Sequence, residues 1–270
     1  MSGSTVDIDG QPIAYRDSGG TGRPVILVHG NSSSAATWTP LLDGEFGRRH
    51  RAFAIDLPGH GQSPPAADPV TYSMPGYAAV VAGFARALEL RGAVYVGWSL
   101  GGHIVIEAAP LLPEPAGIAV FGTPPVAGPA DLATAFLPNP AVAIGFSPEV
   151  DAAQAHAYAT SFLAPGATVA PDAFTADILA TDGAARGGLG ASIGEGRFTD
   201  EVAIVAALPV PLAILHGTGE QLVSLDHLRK LHAPTLWRGE VQLIDGAGHA
   251  PHVETPEAFA ELLGAFVADC

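Results

Sequence analysis

The chain has 270 residues, enough for one large α/β domain with an inserted segment, and its 48% hydrophobic and 14% charged residues supply a sizeable core. A formal charge of −15 argues against nucleic acid and anionic membrane surfaces as partners. The single cysteine, Cys270, rules out an internal disulfide and a cysteine metal site, and no uncharged apolar run reaches the ~18 residues needed to span a bilayer.

Met1–Asp7 carries neither the basic nor the apolar region of a secretory signal, which predicts a cytoplasmic protein. A first strand is predicted at Ile13–Asp17 and a second at Val25–His29, whose continuous apolar run implies burial on both faces, as in a parallel sheet. A helix over Ala35–Phe46 and a strand over Ala52–Leu57 follow. Next come a helix over Met74–Leu90, a strand over Ala93–Gly97, a helix over Gly102–Pro110 and a strand over Ile118–Gly122. The alternation then stops. From about Pro125 to Ala207 the chain is rich in proline and alanine, with helical pieces at Ser147–Leu163 and Pro171–Thr181 and a glycine-rich loop from Gly183 to Gly196. A structureless loop of that length is foreign to a compact domain, so residues 125–207 are expected to form a helical cap on a core of residues 1–124 and 208–270. The alternation resumes with a strand at Leu212–Gly217, a helix at Asp226–His232, a strand at Val241–Ile244 and a helix at Pro256–Val267.

Chemistry concentrates where strands end. Gly97-Trp98-Ser99-Leu100-Gly101 has the form G-x-S-x-G between a strand and a helix, the context in which a serine is held on a sharp turn with its hydroxyl exposed. A hydroxyl is a weak nucleophile and needs a base, and the base needs a carboxylate to fix its tautomer. Gly246-Ala247-Gly248-His249 places a histidine in a short loop after the last strand, later in the chain than Ser99. His252, close by, opens the helix-bound segment instead. Glu220 follows the Leu212–Gly217 strand at the turn where the acid is expected; Asp226 is the second candidate, better suited to starting a helix, and Asp245 is too near His249 in sequence to reach around to it. His29-Gly30-Asn31 follows a buried strand, where the Asn31 N–H can converge with that of Leu100 on a developing oxyanion. No His-x-His cluster, phosphate-binding loop or dinucleotide fingerprint stands out, so neither metal nor cofactor is expected.

Together with Asp56-Leu57-Pro58-Gly59-His60-Gly61-Gln62-Ser63, these segments resemble the landmarks of the α/β-hydrolase fold in order and spacing, over nearly the whole chain. The resemblance implies a mostly parallel sheet flanked by helices, a Ser99–His249–Glu220 triad and a structural role for the Asp56–Ser63 loop. The family's usual acid is aspartate, so Glu220 is a departure. A narrower set is similar to the N-acyl-homoserine lactonases of quorum quenching built on this fold: His29-Gly30-Asn31-Ser32-Ser33-Ser34, a glutamate acid, and Tyr158 in a small cap. That likeness implies substrate contacts from Asn31 and Tyr158 and a small neutral lactone or ester with an apolar acyl chain as substrate. Trp98, Phe136, Phe146, Phe162 and Leu163 are further candidates for the acyl channel, although cap aromatics also serve as plain packing. A general carboxylesterase of the same fold, or a weakly hydrolytic small-molecule receptor, are the alternatives.

Overall fold

The computed structural model describes residues 3–270, whose strands form a single eight-stranded sheet. Its strands are β1 (Ser4–Ile8), β2 (Gln11–Asp17), β3 (Pro24–Val28), β4 (Arg51–Ile55), β5 (Val94–Trp98), β6 (Gly117–Phe121), β7 (Leu212–Gly217) and β8 (Gln242–Ile244). They lie in the order β1-β2-β4-β3-β5-β6-β7-β8. β1 and β2 pair antiparallel, as do β2 and β4, and every other pairing is parallel.

The helices are α1 (Thr39–Asp43), α2 (Glu45–Arg49), α3 (Met74–Ala87), α4 (Leu100–Ala108), α5 (Leu132–Ala135), α6 (Ala152–Ser161), α7 (Asp172–Ala180), α8 (Gly183–Gly194), α9 (Glu201–Ala207), α10 (Leu225–Leu228), α11 (Pro251–Glu254) and α12 (Pro256–Asp269). α3 and α4 pack together, and α1, α2, α11 and α12 form a second group. The apolar strands β5 and β6 are buried along their whole length between these layers. Trp38, Phe121 and Phe259 meet there edge to face.

The position of the site follows from the strand order. β3 hydrogen-bonds to β4 on one side and to β5 on the other, so the chain reverses its direction of travel across the sheet there. Ligands of open parallel sheets bind outside the carboxyl ends of strands at such a point. The turns after β3 and β5, carrying Asn31 and Ser99, are therefore neighbours in space, as the register Val28 opposite Gly97 requires.

The structure corrects several expectations. β1 was not foreseen, although its signal is present: Asp9-Gly10, both at positive φ (52° and 87°), closes a two-residue hairpin of the kind Asp-Gly favours. The single helix expected over Ala35–Phe46 is a 3₁₀ turn (Ala35–Trp38) followed by α1 and α2, with Gly44 extended between the last two. Pro40 has no N–H to give, which suits it to the first turn of a new helix. The helix expected over Asp226–His232 is one turn, α10, capped by Ser224.

The largest correction concerns the glycine-rich stretch, which is a helix. Residues 183–194 form α8, started by the Asp182 carboxylate accepting from the Ala184 N–H. Its glycines serve close packing rather than looseness. A β-carbon on Gly188 would meet Tyr72 Cβ at 2.7 Å, and one on Gly190 would meet Phe146 Cβ at 3.0 Å. Alanine ordinarily stabilises a helix interior relative to glycine. Here Gly188→Ala should do the reverse, costing about 1–3 kcal/mol through overpacking and lowering Tm by several degrees. A thermal melt that rises would show that the helix does not need this approach.

Candidate active site

β5 leads straight into Ser99, which has φ 53° and ψ −118°, and α4 starts at the next residue. A non-glycine residue in that region of backbone space is strained by roughly 1–3 kcal/mol and persists only where its surroundings enforce it. Here the enforcement is tight. A β-carbon on Gly97 would press into the Gly101–Gly102 backbone, and one on Gly101 into the carbonyls of Val28 and His29. The Ser99 N–H donates to the Phe121 carbonyl at 2.9 Å, so β6 holds the turn as well. Leu100 opens α4, where backbone N–H groups lack helical acceptors and the helix dipole favours negative charge.

The turn after β3 is held by His29. The Leu57 N–H donates to its Nε2 at 3.0 Å, which leaves Nδ1 to donate to the Gly30 carbonyl at 2.7 Å. Burial keeps this imidazole neutral, pushing its pKa down to about 4. Asn31 follows, nearly buried, with its amide Nδ2 donating to the Gly145 carbonyl at 2.6 Å. Ser34 reaches the same overlying segment, its hydroxyl donating to the Asp177 carboxylate at 2.6 Å. The Asp56 carboxylate accepts from the Ala35 and Gln62 N–H groups, at 2.6 and 3.0 Å. These bonds brace the loop and turn Asp56 away from any role as an acid.

His249 and Glu220 come together as the sequence implied. The Nδ1 of His249 lies 2.8 Å from Glu220 Oε2, and both side chains are 2% exposed. Burial pushes the Glu220 carboxyl up. The charge and hydrogen bond of His249, the Leu222 N–H and nearby His216 together outweigh that and hold it below the usual glutamate value. The loops carrying the pair are stitched together: the Gly219 N–H donates to the Ala247 carbonyl at 2.8 Å and the Gly246 N–H to the Thr218 hydroxyl at 3.0 Å. The Gly248 N–H donates to Glu254 on α11 at 2.7 Å. Asp226 and Asp245 are exposed, and no hydrogen bond joins either to His249. His252 is fully buried, bonded to the Thr37 hydroxyl at 2.8 Å, with its pKa driven down to about 3 by burial and by His249.

Above these loops is a cavity of about 310 Å³ whose wall includes Ser99, Leu100, His249, Asn31 and Tyr158. The rest is mostly apolar: Phe136, Val142 and Phe146 come from the segment after β6, Leu189 and Ile193 from α8. Of the residues expected to line it, Phe136, Phe146 and Tyr158 do, and Leu163, Trp98 and Phe162 do not. The Trp98 indole donates to the His249 carbonyl at 2.8 Å, and Phe162 stacks on the His249 ring with centroids 5.8 Å apart. Both pack behind the imidazole and fix its pose. The reading of the sequence missed Leu189 and Ile193, which belong to the stretch taken for a loop. It also missed His103 and Glu201, although His103 lies one helical turn beyond Ser99.

A serine on a strained strand-to-helix turn that shares an apolar cavity with a carboxylate-paired histidine fits an acyl-transfer enzyme. The model of the alpha/beta hydrolase family matches residues 25–262, and the chain belongs to that family, as a hydrolase of carboxylic esters or lactones. Its relatives include the non-heme chloroperoxidase of Streptomyces lividans, 31% identical over 98% of this chain and 99% of the relative. Crystal structures of the N-acyl homoserine lactonase AidH are similar along the entire length. The complex with N-butanoyl homoserine superposes with a TM-score of 0.94 at 37% identity, covering 100% of this chain and 97% of that one. A variant complexed with N-hexanoyl homoserine lactone gives 0.94 at 36%, covering 100% and 98%. An esterase from Rhodococcus sp. shares the fold, with a TM-score of 0.81 at 24% identity over 99% of each chain.

Proposed function

We propose that the chain opens the lactone ring of N-acyl-homoserine lactones through an acyl-enzyme on Ser99. The observation that carries this reading is the meeting of Asn31 and Tyr158 on the same cavity wall as Ser99 and His249, in a chain so similar to an acyl-homoserine lactonase. On this reading Ser99 Oγ attacks the lactone carbonyl while His249 Nε2 takes its proton. Glu220 keeps Nδ1 protonated and stabilises the imidazolium that forms. The N–H groups of Asn31 and Leu100 hold the oxyanion, a contribution worth about 3–4 kcal/mol per donor in such sites. The imidazolium then protonates the ring oxygen as the carbon–oxygen bond breaks. The leaving alcohol remains tethered, so the acyl-enzyme retains the whole substrate until water, deprotonated by the same histidine, releases the open-chain acid. Only side chains, backbone and water are required. Residues 125–207 serve as the cap that holds the acyl chain, and the activity is a quorum-quenching one carried out in the cytoplasm.

The test is mass spectrometry of N-hexanoyl homoserine lactone after incubation with the protein. Gain of one water on the intact molecule is the expected result. Release of free homoserine lactone would instead make the protein an amidase, and an unchanged lactone would leave the carboxylesterase reading, for which the apolar cavity is equally suited.

A further inference from the structure

The cavity wall contains a second acid–base pair that takes no part in the chemistry above. His103 on α4 and Glu201 at the start of α9 both line it. The Nδ1 of His103 lies 2.8 and 2.9 Å from the two Glu201 oxygens, and the side chains are 9% and 2% exposed. Glu201 also accepts from the Val126 N–H at 3.1 Å, so the carboxylate is fixed from two sides. It therefore takes the Nδ1 proton of His103 as its hydrogen-bond donor and locks the ring in one pose. The other nitrogen, Nε2, has no protein partner among the described residues and is open to the cavity. Phe136 lies beside the imidazole, with ring centroids 6.3 Å apart, and apolar side chains form the rest of that wall. A polar atom oriented by a buried carboxylate in apolar surroundings is arranged to meet a polar atom of the ligand, because leaving either unpaired there is costly.

Its distance from the nucleophile indicates which ligand atom that is. His103 follows Ser99 by four residues on the same helix face, about 6 Å further along the axis at ~1.5 Å per residue. In an N-acyl-homoserine lactone the third acyl carbon is separated from the lactone carbonyl by five bonds, about 6 Å when extended. We propose that His103, oriented by Glu201, is an acyl-chain recognition residue whose unprotonated Nε2 accepts from a hydroxyl on the third acyl carbon, so that 3-hydroxy acyl chains are preferred over unsubstituted ones. The proposal rests on the lactonase reading for its substrate class.

The experiment compares kcat/KM for N-(3-hydroxyhexanoyl) and N-hexanoyl homoserine lactone, in the wild type, in His103→Phe and in a His103→Leu/Glu201→Gln double variant. The ratio of the two values is independent of how much protein is folded. The wild-type ratio should favour the hydroxy substrate roughly three- to tenfold, and both variants should bring it to about one. A wild-type ratio near one, or a preference that survives both substitutions, overturns the proposal; equal losses on both substrates would make the pair a structural tie between α4 and α9. The methyl esters of N-(3-hydroxyhexanoyl)glycine and N-hexanoylglycine keep the same five-bond spacing without a ring. If the lactones are inert but these esters show the His103-dependent ratio, the subsite stands and the lactonase reading falls.

Discussion

Ser99→Ala should lose at least about 10⁴-fold in turnover while keeping the fold, because nucleophile and base act as a unit and removing one forfeits most of their joint effect. The hydroxyl makes no hydrogen bond that supports the structure, so its removal leaves the turn braced by the Phe121 carbonyl and by the close packing at Gly97 and Gly101. Ser99→Gly should lose turnover equally but gain about 1 kcal/mol of stability, because glycine occupies φ 53° without strain. The two variants thus separate activity from stability at a single position. A fluorophosphonate probe followed by intact-mass measurement should label the wild type once and neither variant. Turnover that survives the alanine substitution would remove the serine from the mechanism.

Acid should unfold the protein through buried histidines that take no part in the proposed chemistry. His29, His60 and His252 are fully buried, and burial holds them to pKa values of about 4, about 3 and about 3, against 6.5 in the unfolded chain. Between pH 6.5 and those values the unfolded state binds more protons than the native one, so stability falls as pH falls. Each histidine contributes ~1.4 kcal/mol per pH unit, about 4 kcal/mol per unit for the three. Asp56, Glu107 and Asp177 oppose this. Burial raises their pKa values, so as the pH falls toward the ordinary carboxylate range they bind protons more readily in the native state than in the unfolded one. Where total stability is at the lower end of the typical 5–15 kcal/mol, unfolding is expected roughly one to two units below pH 6.5. Urea titrations at pH 7.5, 6.5 and 5.5 would measure it: the midpoint should drop steeply only in the last interval. A flat profile would mean that these rings are protonated in the native state.

The turns that carry the candidate site were more legible in the sequence than the walls around them, and the difference is physical. Ser99, His249, Glu220 and Asn31 each sit in a turn after a strand of the sheet, where spacing and glycine content report backbone geometry directly. Strand ends were legible to within a residue or two for the same reason. Helices between β6 and β7 depend on packing against the core, which local composition does not encode. Gly188 and Gly190 illustrate this: as text they suggest a loop, but in the structure they are the absent side chains that let α8 approach Tyr72 and Phe146. Trp98 and Phe162 illustrate the converse. They are aromatic and close to the serine in sequence or space, yet one is engaged by a backbone carbonyl and the other by an imidazole face.

The hydrogen bond from Asn31 to the Gly145 carbonyl has a consequence for both segments it joins. Gly145 is wedged between Asn31 and Tyr158: a β-carbon there would run into the tyrosine hydroxyl and lie 3.0 Å from the Asn31 amide. Outward movement of residues 140–146 must break that bond first, and so releases the turn that carries the proposed oxyanion donor. One hydrogen bond therefore positions two things together, the cavity wall and the turn that carries the proposed donor.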